Sequence, residues 1–266
     1  MSSPFFFTYK NQEIAYEVVG KGKALIILHG WGASRRVMMP VAKSLEDIRA
    51  SYVLDLPGFG DSNEPDKGWT ISDYTDAVQA FIEKLPDDHV DLLVHSFGGR
   101  ISLNLLTRPK MQEVVQKVLI TGGAGMKPQR SIKFYVRKYT AKILKAPFMI
   151  LPNPLRDKAL GWLRSTDLWK SLGSSDYSKL SGVMRETFVK SVTEYQEECL
   201  PKIPHETLLV YGRNDDATPV YQAERIEKGI KNSALVVMED CGHYAFLDKP
   251  KQFAAIAKAF FEPKSN

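Results

Sequence analysis

The 266-residue chain has 44% hydrophobic and 25% charged residues, the usage of a globular protein large enough to bury a core without disulfides or a metal. Its two cysteines, Cys199 and Cys241, form no CxxC pair, which excludes a disulfide scaffold and fits free thiols in a reducing compartment. The net charge of +5 does not by itself point to nucleic acid, because that inference needs basic residues gathered on one surface.

The N-terminal MSSPFFFTYK carries no basic leader and only a three-residue aromatic run. No stretch approaches the roughly 18 apolar residues of a membrane span, so a soluble, cytoplasmic protein is expected. Residues 5–19 hold two β-rich runs around Asn11-Gln12, which predicts a hairpin. ALIIL at 24–28 is a short apolar run between turn residues, as in a strand buried on both faces of a parallel sheet. The pattern recurs in SYVLDL (51–56), VDLLV (90–94), VVQKVLI (114–120), ETLLVY (206–211) and ALVVM (234–238). Between these runs lie helical patterns: Ile71, Tyr74, Val78, Phe81, Ile82 and Leu85 follow Thr70, an expected N-cap, and Phe253, Ile256 and Phe260 repeat the spacing near the end. Strands alternating with amphipathic helices predict a helix-covered, mostly parallel sheet.

From Met126 to Lys202 the alternation stops. No buried strand is visible, prolines punctuate helical patterns, and Lys/Arg outnumber Asp/Glu by 15 to 7, so the whole basic excess of the chain lies there. A helical insertion in an α/β core is expected.

VDLLV runs into His95-Ser96-Phe97-Gly98-Gly99 and then a helical pattern. A serine on a sharp strand-to-helix turn presents its hydroxyl at the sheet edge, and flanking glycines let the turn pack closely. The pentapeptide departs from G-x-S-x-G at Val94, and a helix-capping serine is the plain alternative. The first buried strand ends in His29-Gly30-Trp31-Gly32, whose backbone offers the Trp31 amide as one oxyanion donor beside that of Phe97, the residue after the serine. Two later strands end in GRNDDATP (212–219) and EDCGH (239–243), which place Asp215 and His243 past strand C-termini in the order Ser96, Asp215, His243. Asp216 is the neighbouring alternative for the acid. The histidines have no HExxH spacing, and neither GKGK (20–23) nor GGAG (122–125) completes a dinucleotide or phosphate loop, so no metal and no cofactor are expected.

Through HGWG (29–32), DLPGFGDS (55–62), HSFGG (95–99), GRNDDATP (212–219) and GHYAFLDKP (242–250), the chain resembles the α/β-hydrolase family in its serine-nucleophile branch. The resemblance implies an eight-stranded, mostly parallel sheet flanked by helices. It implies a core of residues 1–125 and 203–266, and a helical cap or lid, 126–202, inserted after the sixth strand. It implies a catalytic triad of Ser96, Asp215 and His243 with an oxyanion hole at Trp31 and Phe97. Among the other histidines, His29 resembles the family's structural histidine, His95 is expected to turn its side chain away, and His89 and His205 are expected in solvated loops. DLPGFGDS is expected to be structural.

The activity implied is hydrolysis of carboxylic esters of small to medium acyl substrates through an acyl-enzyme. Carbon-carbon bond hydrolysis and thioester hydrolysis on the same triad are alternatives, and a non-catalytic ligand receptor is the alternative of another class. In the first helix expected in the cap, Ile132, Tyr135, Val136, Tyr139 and Ile143 form a stripe to pack on the core. Opposite them lie Arg130, Lys133, Arg137, Lys138, Lys142 and Lys145, a face that is solvated or meets an anionic partner, an acidic carrier protein or a lipid surface. A small-molecule substrate is expected, and no nucleic acid.

Overall fold

A computed structural model describes residues 3–129, 139–140, 142–166, 180 and 182–262. The strands are β1 (Phe5–Tyr9), β2 (Gln12–Val19), β3 (Lys23–Leu28), β4 (Arg49–Leu54), β5 (Val90–His95), β6 (Val115–Thr121), β7 (Glu206–Gly212) and β8 (Ser233–Met238). They form one eight-stranded sheet in the order β1-β2-β4-β3-β5-β6-β7-β8. β1 and β2 form an antiparallel hairpin, β2 runs antiparallel to β4, and every other pairing is parallel.

The apolar runs are continuous because both faces of the central strands are covered. In β3, Ala24, Ile26 and Leu28 join one core while Leu25 and Ile27 join the other, and β5 splits Leu92 and Val94 from Leu93 in the same way. The first core is closed by α2 (Ile71–Ile82), α3 (Phe97–Leu105), α4 (Pro109–Val114) and α7 (Val220–Gly229), described with the segments around it below. The second is closed by α1 (Arg35–Ser44) and α9 (Pro250–Phe261), with α8 (Ala245–Asp248) beside them. Helix α2 begins at Thr70 in a reciprocal cap: Thr70 Oγ1 accepts from the Asp73 amide and the Asp73 carboxylate accepts from the Thr70 amide.

Strand β4 stops at Leu54, two residues short of the run that predicted it, because Asp55 and Leu56 enter a loop network. Buried Asp55 accepts from the Arg35 guanidinium, from the Arg35 amide at 2.6 Å and from the Asp61 amide at 2.9 Å. Arg35 also reaches Glu17 and Asp61, each at 2.7 Å, and the Ser62 hydroxyl donates to the Asp55 carbonyl. The DLPGFGDS loop is thus tied to β2 and α1 by charge-assisted hydrogen bonds.

Between β6 and β7 the described residues form helices only: a 3₁₀ turn at Ala146–Ile150, α5 (Asn153–Ser165), α6 (Gly182–Thr193) and a second 3₁₀ turn at Glu197–Lys202. The two ends of this segment meet. The Gln196 amide donates to the Gly125 carbonyl at 2.8 Å, the Lys127 amide donates to Glu197, and Arg225 of α7 bridges Glu197 and the Lys127 carbonyl. Most of the basic and apolar stripes read at 130–145 lie outside the described residues. Of the apolar stripe, Tyr139 and Ile143 are described, and both are exposed rather than packed on the core.

Candidate active site

The chain passes from β3 to β4 on one side of β3 and then to β5 on the other, a topological switch that opens a crevice beyond the strand C-termini. Leu28 and Val94 are register partners, so the residues after β3 and β5 emerge side by side. Ser96 sits between β5 and α3 with φ 49° and ψ −104°, a conformation that L residues rarely hold. The elbow forms with Val94, fully buried, in place of the first glycine.

The remaining glycines explain how the elbow is held. A Cβ on Gly98 would lie 2.8 Å from Leu28 Cβ and 2.9 Å from the Leu28 carbonyl oxygen, and one on Gly99 would lie 2.9 Å from Gly123 Cα. Helix α3 therefore approaches β3 and the loop after β6 more closely than a side chain allows. The Ser96 amide donates to the Thr121 carbonyl, and the Ser96 carbonyl accepts from the Gly99 and Ala124 amides. Opposite the serine, a Cβ on Gly30 would come within 3.1 Å of Ser96 Cβ, which places the loop after β3 directly against the elbow. The amides of Trp31 and Phe97 donate no hydrogen bond among the described residues.

On the other side of the crevice, His243 Nδ1 lies 2.8 Å from Asp215 Oδ2. Asp215 is buried and its Oδ1 accepts from the amides of Ala217 and Thr218, whereas Asp216 is exposed. Thr218 Oγ1 stands 2.8 Å from Asp215 Oδ2 and 2.9 Å from the Gly122 carbonyl, within reach of both acceptors. Burial works against the Asp215 carboxylate, but the hydrogen bonds from His243 and Thr218 outweigh it and hold its pKa below the usual range. Asp215 is therefore an anion that holds the imidazole with its proton on Nδ1 and leaves Nε2 without one. Gly122, at φ 53°, leaves room for this ring, since a Cβ there would stand 3.1 Å from His243 Nδ1. Ser96 and His243 are not hydrogen-bonded to each other in this conformation.

Two histidines differ from their sequence-based expectations. His95 does not turn away from the site: its ring packs on that of His243 with centroids 4.7 Å apart, and Tyr244 and Phe246 enclose it. His205 is not in a solvated loop but buried, with Nε2 3.4 Å from the Met111 carbonyl. His29 behaves as expected, bonded to the Gly30 carbonyl through Nδ1 and accepting the Leu56 amide at Nε2, and His89 is exposed. Thr218 and Gly122 went unread as site residues; Thr218, three residues after Asp215 in a turn-forming sequence, carried the one available signal.

Over the loop after β3, Trp31 meets Phe59, Phe97 and Phe188 with ring centroids 4.9, 5.1 and 5.1 Å away. Phe188 belongs to α6, so a helix from the segment between β6 and β7 contributes to the aromatic wall beside the serine. Among the described residues, no group of three or more His, Cys, Asp or Glu side chains could hold a metal ion.

A partly exposed serine on a strand-to-helix turn, a histidine–aspartate pair at the same sheet edge and this strand order define an α/β-hydrolase. The family model for the alpha/beta hydrolase fold matches residues 23–250, and the chain belongs to that family as a hydrolytic enzyme. It is 25% identical over 254 residues to 2-hydroxymuconate semialdehyde hydrolase of Pseudomonas sp. (strain CF600), covering 91% of this chain and 87% of that one. It is 24% identical over 256 residues to pimeloyl-[acyl-carrier protein] methyl ester esterase of Nitrosomonas europaea, covering 91% and 97%. The esterase structure from Exiguobacterium antarcticum superimposes with a TM-score of 0.74 at 22% identity, covering 99% of this chain and all of that one.

Proposed function

We propose that the protein is a serine hydrolase that cleaves carboxylic esters of small to medium acyl substrates through an acyl-enzyme. The observation that carries this reading is the strained backbone of Ser96, held at the sheet edge that also bears the His243–Asp215–Thr218 network. His243 Nε2 takes the Ser96 proton as Oγ attacks the ester carbonyl. The amides of Trp31 and Phe97, which donate to no other group among the described residues, donate to the oxyanion. His243 then passes its proton to the alkoxide leaving group, and a water deprotonated by the same nitrogen releases the acid and restores Ser96. Asp215 stays ionised throughout and stabilises the imidazolium.

The aromatic wall of Trp31, Phe59, Phe97 and Phe188 supports an apolar acyl or alkyl group at the reacting carbonyl. We read residues 126–202 as a cap, with α6 as the part that closes over the oxyanion loop. The relative from Nitrosomonas europaea, by its name an esterase, supports the ester assignment. The relative from Pseudomonas, by its name a semialdehyde hydrolase, makes carbon-carbon cleavage the reading to test against it.

The test is multiple-turnover hydrolysis of p-nitrophenyl esters of graded chain length, beside a thioester and 2-hydroxymuconate semialdehyde, with the unaltered chain and Ser96→Ala. Ester turnover that falls at least about 10⁴-fold in Ser96→Ala, together with loss of fluorophosphonate labelling, is expected. Undiminished turnover or labelling in Ser96→Ala overturns the triad, and faster turnover of the semialdehyde than of any ester overturns the substrate class. A single turnover followed by arrest would favour a receptor.

A further inference from the structure

Exposed apolar side chains are not spread evenly over this molecule. Of the thirteen large hydrophobic residues exposed among the described residues, seven lie within 139–166: Tyr139, Ile143, Met149, Ile150, Leu151, Leu155 and Trp162. The 3₁₀ turn at Ala146–Ile150, which contains Pro147 and is followed by Pro152, raises Met149 and Ile150 into solvent, the latter 87% exposed.

Helix α5 (Asn153–Ser165) is apolar on two separate faces. Leu160 and Leu163 are buried, which is the face that holds the helix to the protein. Leu155 and Trp162, seven residues apart and therefore aligned after two turns, are 57% and 64% exposed, and Lys158 projects between them. Packing among the described residues accounts for the first face and leaves the second unexplained.

The charges on this surface are mostly of one sign. Residues 142–162 contain Lys142, Lys145, Arg156 and Lys158 against a single carboxylate, Asp157. Lys142 and Lys158 are exposed. Apolar tips and a tryptophan interleaved with lysines are the composition of a surface that inserts its hydrophobic side chains below the headgroups while its cations meet phosphates. A soluble acidic partner would be met by the cations but would leave Ile150 and Trp162 without an apolar phase to enter. No helix among the described residues is long and apolar enough to cross a membrane, so contact of this kind is peripheral.

We infer that residues 142–162 form a membrane-docking surface, with Ile150, Leu155 and Trp162 entering the interfacial region of an anionic phospholipid bilayer and Lys142 and Lys158 pairing with its headgroups. This surface is separate from the residues assigned to ester hydrolysis, and its occupant does not depend on that assignment.

The experiment is co-sedimentation of the full chain with vesicles of phosphatidylcholine and phosphatidylglycerol in equal parts, and with pure phosphatidylcholine, at low and at 0.5 M salt. Binding to the anionic vesicles at low salt is expected to be at least tenfold tighter than to the neutral ones and to weaken with salt. The double variant Ile150→Ser, Trp162→Ser, which keeps the charge, should bind at least tenfold more weakly. Lys142→Gln with Lys158→Gln should lose about fivefold per cation. Both pairs are exposed, and their hydrolysis of a soluble ester should be unchanged; Ser96→Ala should bind vesicles like the unaltered chain, so docking and catalysis fail independently. Absence of vesicle binding at low salt, or binding that both double variants leave intact, overturns the inference. So does a dimer in light scattering that Ile150→Ser, Trp162→Ser dissociates, because a second copy would then cover the surface.

Discussion

The imidazoles of His95 and His243 lie ring against ring, 4.7 Å between centroids, and His95 is anchored from behind by its Nδ1 bond to the Thr121 carbonyl. The residue before the serine therefore forms a wall for the imidazole proposed as the base. Removing that wall frees His243 to tilt on the Asp215 bond. His95→Ala should lower kcat/KM about 10- to 100-fold, through kcat more than KM, and His95→Phe should recover part of the loss by restoring a ring. Steady-state kinetics on a p-nitrophenyl ester check this, and equal losses in both variants would argue against packing as the cause.

Burial lowers the pKa of three histidines, His29, His95 and His205, and that of His95 is pushed down to about 3. Each takes up a proton less readily when folded than when unfolded, where a histidine titrates near pH 6.5. The unfolded chain binds more protons below that pH, so stability is full above it and declines as pH falls, for His95 over the range from about 6.5 to about 3. The slope is up to about 1.4 kcal/mol per pH unit for each histidine. Urea unfolding at pH 7.5 and pH 5 should show it, and His95→Phe should flatten it; an unaltered slope in that variant would count against His95 as a contributor.

The left-handed φ of Ser96 predicts different stabilities for two variants that lack the proposed nucleophile. Ser96→Gly relieves the backbone and Ser96→Ala keeps the strain, so the glycine variant should be more stable by about 1 kcal/mol, although glycine is the more flexible residue when unfolded. Thermal unfolding of the two proteins compares them directly. A less stable glycine variant would mean that the turn carries no strain.

The Thr218 hydroxyl stands within hydrogen-bond reach of both Asp215 and the Gly122 carbonyl, and Thr218→Val keeps its shape while deleting both contacts. The aspartate is left buried with one donor fewer, and its hold on the His243 ring loosens. A fall in kcat of about tenfold with little change in KM is expected. A KM effect alone would relocate Thr218 to substrate binding.

Arg35 is the cation to which Asp55, Glu17 and Asp61 all turn. Arg35→Met leaves Asp55 buried and unpaired, at a cost of about 3–5 kcal/mol. Adding Asp55→Asn should return part of that stability, as measured by urea unfolding. If the second substitution deepens the loss, the asparagine has failed to replace the hydrogen bonds that hold the loop.

The central strands of the parallel sheet were legible because they are buried on both faces, which leaves uninterrupted apolar runs such as ALIIL and VDLLV. Ser96, Asp215 and His243 were legible because each follows a strand C-terminus, so position in the chain already locates them at one edge. The contacts among loops were not legible. His95 meets His243, Thr218 meets Gly122, and Asp55 cuts β4 short, each through partners remote in sequence that no local periodicity records. His205 was read as solvated because it lies in a loop, yet it is buried against α4 by the Met111 carbonyl. The exposed face of α5 was missed for a different reason: two apolar stripes on one helix read as a single broad hydrophobic pattern until burial separates them.

The hydrogen bond from Gln196 to Gly125 fastens the two ends of the segment between β6 and β7 to each other, and Arg225 clamps the join. To the sheet, the joined ends count as a tight crossover between neighbouring strands. What lies between Lys127 and α6 can therefore change in length or composition without moving the strand ends that carry Ser96 and His243, whereas α6, through Met184 and Phe188, is part of the packing itself.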